Sequence, residues 1–122
     1  LYTMENGYET MLRALDDGLD ATAIVAICDT VAVGAMKALS ERGLRVPEDV
    51  SVTGFDDIDY ARYSVPGLTT VSQPLEQIVR ESTRILLDII ADPSRDAEII
   101  RLLGPVVERG SVCAPSTKET AP

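Results

Sequence analysis

Met4, Tyr8, Met11, Leu12 and Leu15 recur at helical spacing through "MENGYETMLRALDDG", and an apolar stripe of that period predicts an amphipathic helix. Thr3 stands where an N-cap is wanted and Gly18 where the helix should stop. The pattern then changes. "TAIVAICD" is an almost unbroken apolar run of strand length with β-branched residues, as expected of a strand covered on both faces in a parallel sheet. Asp29 opens a second helical stretch, "TVAVGAMKALSERG", closed by Gly43. "VSVTGF" is again strand-like, so residues 23 to 55 predict strand, helix and strand in a right-handed crossover. Pro47 marks the short loop before the second strand.

After "LTTV", Pro74 suits the first turn of another helix, "PLEQIVRESTRILLDIIAD". Its Leu75, Ile78, Val79, Ser82, Ile85, Leu86, Ile89 and Ile90 follow the helical series, and its other face is polar. "DPSRD" breaks it, "EIIRLL" and "VVER" are short strand candidates, and residues 113–122 form a polar, Pro- and Thr-bearing tail expected to be disordered. The fold class is α/β: a Rossmann-like parallel sheet with helices on both faces. Such a unit normally begins with a strand, whereas this chain begins with a helix, so the expectation is a fragment of a longer protein.

Composition narrows the function. The 122 residues suit one domain, and no apolar run approaches the roughly 20 residues that cross a bilayer. Eleven Lys and Arg against 20 Asp and Glu leave a formal charge of −9, a sign that repels phosphate backbones. These residues alone are not expected to bind DNA. There is no His, and Cys28 and Cys113 lie far apart without metal-ligand spacing. No metal or cofactor is called for. Spacing leaves a disulfide between the two open, and a reduced chain is the simpler reading.

Asp29 and Asp56 would end neighbouring parallel strands on one edge of the sheet, which is where open α/β sheets hold small polar ligands. Asp29 is also placed to cap its helix, and Asp56 could be a plain turn residue after Gly54. Asp57 and Asp59 suit solvated or capping roles. Catalysis by the two carboxylates finds little support: the chain has no His, no GxGxxG, no phosphate loop and no nucleophile elbow, and Ser111 in "RGSV" lacks the flanking glycine of a hydrolase motif. A receiver-like phosphoacceptor domain would need an acidic pair and a lysine that have no counterpart here. The expectation is a binding protein, not an enzyme.

The stretch from "AIVAICDTVAVGAMKALSERG" through "LRVPEDVSVTGFDD" to "PGLTTVSQP" resembles the C-terminal part of LacI/GalR-type transcriptional repressors. The resemblance implies a periplasmic-binding-protein-like type I lobe, incomplete here, with residues 1–112 as the C-terminal portion of an effector-binding and dimerisation domain. Helix 74–91 would return towards a first lobe that precedes this stretch. It further implies a cytoplasmic regulator that binds a small, sugar-like effector between two lobes, forms a homodimer and reaches operator DNA only through an N-terminal helix-turn-helix. A secreted sugar-binding protein of the same fold is the nearer alternative. Carried over residue by residue, Asp56 matches the effector carboxylate, Phe55 the aromatic beside it and Gln73 the crossover between lobes. Cys28 stands where sugar-responsive members often carry Asn, and a thiol is a weak partner for a hydroxyl. The dimer surface implied includes Ala32, Val33 and Met36 of the second helix with Tyr60, Arg62 and Tyr63 after "GFDD". The apolar character of "TVAVGAM" on more than one face is compatible with that.

Overall fold

The computed structural model describes residues 1–115, so the expected tail lies, from residue 116 on, outside the described residues. The chain divides into two compact units, Leu1–Ser72 with Val106–Pro122, and Gln73–Pro105.

In the first unit, α1 (Met4–Asp16) starts at Thr3, whose hydroxyl accepts from the Asn6 N–H at 3.1 Å. Strand β1 (Ala23–Val25) leads to α2 (Asp29–Glu41), β2 (Ser51–Asp56), the short α3 (Asp59–Tyr63) and β3 (Thr69–Ser72). Gly18 and Gly43 follow the two long helices at φ 84 and 75, the left-handed exit that glycine adopts without strain. β1, β2 and β3 are parallel in that order. Of the two late strand candidates, "VVER" contributes β4 (Val106–Val107), which pairs antiparallel with β3. "EIIRLL" forms no strand: it falls in the second unit, where Glu98 bonds Arg84 and Arg95 instead.

Strand alternation assigns the faces. Ile24 and Val52, paired in register, point to the side occupied by α2 and join Ala32, Ala35, Leu39 and Leu68 in the core. The opposite side carries Val25, 85 % exposed, with Phe55 and Val106 also open to solvent. α1 crosses α2 at close range. Gly34 lies against the Met4 carbonyl and the Tyr8 amide, and a methyl group there would collide with that backbone. Met11 and Ala35 lie buried beside it. At the crossing's edge the Tyr8 hydroxyl donates to Glu41 at 2.5 Å.

Between α2 and β2, Arg45 grips Asp49 through its backbone N–H and guanidinium at 2.7–2.8 Å. The guanidinium, helped by that N–H, holds the Asp49 carboxyl down at about 2.

The second unit is built on α4 (Leu75–Ala91), which begins after Pro74 as its sequence suggests. None of its residues is buried, and Leu75, Val79, Leu86 and Ile90 are exposed. Arg84 pairs with Glu81, Asp88 and Glu98, while Arg95 pairs with Asp88 and Glu98. The segment after the helix is therefore tied to α4 by charge.

The α1–α2 crossing gives a direct test. Gly34→Ala should gain about 1 kcal/mol in helix propensity yet lose more, about 1–3 kcal/mol, by forcing backbone apart at an overpacked contact. The net expectation is a lower denaturation midpoint in urea, and an unchanged or higher midpoint would contradict the close crossing.

Candidate functional site

The parallel pairing of β1 with β2 leaves Asp56 at the end of β2, as the sequence pattern predicts, whereas Asp29 stands beyond the end of β1 at the start of α2 and does not itself end a strand. Their roles differ. Asp29 is fully buried, at 0 % exposure. Its Oδ1 accepts from the Thr70 hydroxyl at 2.5 Å and its Oδ2 from the Ile58 N–H at 2.9 Å. It is the first residue of α2, and the N-cap is Cys28, which makes no side-chain capping bond. The capping role expected of Asp29 is thus corrected. Its carboxylate turns inward because β3 and the β2–α3 turn offer two fixed donors, and it has no surface left for a ligand.

Gly54 explains how the acid fits. A methyl group at residue 54 would strike Asp29 Oδ1 and Leu68 Cδ2, so the glycine of "GFDD" clears space for a carboxylate on the neighbouring element.

Asp56 ends β2 half-buried at the rim, with φ 117, and Asp57 follows at φ 59. Positive φ at non-glycine residues costs on the order of 1–3 kcal/mol each and persists only where surroundings enforce it. Two contacts enforce it: Ile58 is held by Asp29, and the Asp57 carboxylate accepts from Arg109 at 2.6 Å. Asp57 was expected to be solvated or capping and is instead an ion-pair partner.

Phe55 points the other way from Asp56, 42 % exposed. It lines a shallow cavity of about 310 Å3 with Val25, Ile27, Thr53, Val71 and Val106. Cys28 is half-buried at the same rim, and it and Cys113 are both free thiols. Gln73 is the first residue of the second unit, directly after β3. Among the described residues, no group of three or more His, Cys, Asp and Glu is arranged to hold a metal ion. Among the described residues no helix is long and apolar enough to cross a membrane.

The six residues expected at a dimer surface separate into two groups. Ala32 and Met36 belong to the core and are covered by their own chain, which corrects their assignment to a surface: they share the inward face of α2 with buried Asp29, away from Gly34, which meets α1. Val33 is half-buried, packed at the margin of that core. Tyr60, Arg62 and Tyr63 are exposed on α3, Tyr63 by 75 %.

Two residues beyond β4 bind the sheet through distant partners. Buried Ser111 donates to the Val52 carbonyl at 2.6 Å and accepts from the Thr69 N–H at 2.8 Å, stitching the chain after β4 to both β2 and β3. Arg109 donates its backbone N–H to Thr69 Oγ1 and its guanidinium to the Leu68 carbonyl and Asp57. No local signal marks either, since their partners are 40 to 59 positions away.

A parallel sheet with helices, an acid at the end of β2, another at the start of α2 and a strained turn at the carboxyl rim together describe an α/β domain of the kind whose sheet edge can take a small ligand. Comparison with known proteins gives its family. A profile for the periplasmic binding protein-like domain matches residues 1–112. The chain is 43 % identical over 99 residues to the probable HTH-type transcriptional repressor ExuR of Bacillus subtilis (strain 168), covering 81 % of this chain and 30 % of that protein. It is 43 % identical over 108 residues to the HTH-type transcriptional repressor PurR of Proteus mirabilis (strain HI4320), covering 88 % and 32 %. Among solved structures, the lac repressor dimer bound to operator and the anti-inducer ONPF superposes with a TM-score of 0.82 at 31 % identity, over 92 % of this chain and 39 % of that one. A LacI family regulator from Enterococcus faecium with bound ribose gives 0.76 at 35 % identity, over 90 % and 40 %. The chain belongs to the periplasmic binding protein-like domain family, in the form carried by LacI-family regulators. It spans about a third of the length of the curated relatives it matches.

The Asp29–Thr70 bond predicts a measurable coupling. Asp29→Ala should cost about 3 kcal/mol, because it leaves Ile58 N–H and the Thr70 hydroxyl buried without an acceptor. Thr70→Val alone should cost about 1–2 kcal/mol, and the double variant should cost clearly less than the sum. Additive losses in urea denaturation would show that the two side chains act independently.

Proposed function

We propose that this chain is the effector-sensing and pairing part of a cytoplasmic LacI-type transcriptional repressor, acting by binding and not by catalysis. The effector is a small polyhydroxylated or N–H-bearing molecule, a sugar or a purine-like compound. Asp56 is its hydrogen-bond acceptor, Phe55 supplies an apolar edge, and Cys28 and Gln73 flank the crevice. Asp29 has no direct part in binding and serves by holding the turn that carries Asp56.

The observation that supports this most is the left-handed backbone of Asp56 at the carboxyl rim, a strain of the sort that structures retain at ligand sites. The family and the ribose-bound neighbour agree with it. A carboxylate on a rigid strand end can accept paired hydroxyls or N–H groups with little ordering cost. Response to the effector would then follow from linkage: a ligand favouring one arrangement of two lobes shifts that population, and the shift reaches the DNA-binding segments of a dimer. Residues 1–72 and 106–112 would serve as one lobe, with 73–105 contributing to the other. The formal charge of −9 keeps DNA contact outside this chain.

The proposed dimer uses α3 and the exposed edge of α2: Tyr60, Arg62, Tyr63 and Val33. Tyrosine and arginine are the residue types that anchor interfaces, since the ring is buried while the polar tip keeps a partner.

Two measurements on the full-length gene product test these assignments. A thermal-shift screen against sugars, nucleosides and purine bases should yield a stabilising ligand, and Asp56→Asn should abolish most of that shift while leaving the unliganded midpoint within about 1 kcal/mol of the parent. A full response in Asp56→Asn removes Asp56 from the site. For pairing, Tyr63→Asp should move the protein from dimer to monomer in sedimentation velocity, and a dimer of unchanged stability places the interface elsewhere.

A further inference from the structure

The corner that carries Asp56 is gripped from two sides. On one side the Ile58 N–H donates to buried Asp29. On the other, Arg109 reaches in from the segment just beyond β4, with its side chain only 15 % exposed and that of Asp57 23 %. Arg109 spends three donors here: its backbone N–H on Thr69 Oγ1 at 2.9 Å, Nη1 on the Leu68 carbonyl at 2.8 Å and Nη2 on Asp57 Oδ1 at 2.6 Å. The first ties the Arg109 backbone and the second its guanidinium to the start of β3, and the third ties Asp57 to the guanidinium.

We infer that Arg109 is a positioning residue for effector binding: through Asp57 it holds residues 56 and 57 in their left-handed conformation and so sets where the Asp56 carboxylate meets its ligand. The inference rests on the reading of Asp56 as a ligand residue. Its chemistry depends on the fork of the guanidinium, which bridges a carbonyl and a carboxylate in one plane. A lysine ammonium is a point charge and cannot reproduce that pair of directed bonds. Asp57 in turn must be an acceptor and must tolerate φ 59, which Asp does better than most residues. The geometry also gives Arg109 a second consequence. It lies on the chain where it re-enters the first unit after residues 73–105, so the return of the chain and the ligand corner share one side chain.

The Ile58 amide, donating to Asp29, reports on the corner without any ligand. Hydrogen exchange in the full-length gene product should speed up by about tenfold at Asp57 and Ile58 in Arg109→Met, the weight of one charge-assisted bond, with the amides of α2 unchanged. Asp57→Asn, which keeps the side chain's shape, is the gentler variant and should move the same amides in the same direction. Unchanged exchange at Ile58 in both variants overturns the positioning role whatever binds. Binding is read by calorimetry with D-ribose and hypoxanthine as probes. A probe bound by the parent should lose about tenfold in Arg109→Met, and nothing further when Arg109→Met is added to Asp56→Asn. An equal loss in both backgrounds marks Arg109 as acting on the fold at large and overturns the inference. If Asp56→Asn binds like the parent, the ligand reading of Asp56 fails by itself, and the exchange data still decide whether Arg109 holds the corner.

Discussion

The carboxylate of Asp29 is the meeting point of three elements. It belongs to the first turn of α2, it accepts the Thr70 hydroxyl from β3, and it accepts the Ile58 N–H from the turn after β2. An acid removed wholly from water is tolerable only when its oxygens find donors, and here the donors lie on the elements that the rim must keep in register. Gly54 belongs to the same arrangement, since any side chain at that position would occupy the space of the acid. Helix, strands and turn are therefore fixed relative to one another by a polar contact inside the unit, while the apolar core of Leu39, Val52 and Leu68 lies beneath it.

Much of this was legible in the sequence. The helical stripe from Met4 to Leu15, the apolar run before Asp29 and the stops at Gly18 and Gly43 each describe local preferences, and the elements form where those preferences place them. The parallel pairing is as the apolar runs suggest, but the cover expected on both faces of the first strand is not met, since Val25 is exposed. What was not legible depends on distant partners. An Asp before an apolar helical stretch looks the same whether it caps the helix or turns under it, and only the Thr70 hydroxyl decides for the second. Ala32 and Met36 look like surplus apolar surface until the face of α2 that carries Asp29 is turned into the core. Ser111 and Arg109 carry no periodicity or motif, yet they bind the last segment to β2 and β3. "EIIRLL" has strand composition without a strand beside it, and its Glu98 is taken by two arginines.

Asp29 and Asp57 are engaged within the fold, one by neutral donors and one by Arg109, and both act on the short turn in which Asp56 stands. A turn with positive φ at residues 56 and 57, anchored through Asp57 and Ile58, is stiff. Stiffness of that kind favours recognition by direction over recognition by contact area, which suits ligands distinguished by where their hydroxyls or N–H groups point.

The order of strands adds a topological point. β3 and β4 are hydrogen-bonded antiparallel neighbours, with Val71 opposite Val106, and everything between Gln73 and Pro105 leaves and returns through that pair. In construction terms the intervening residues are an insertion at the tip of a hairpin. A tight turn of a few residues could close the same two strands, so the sheet, its rim and the Arg109 grip could be built as one continuous miniature without them.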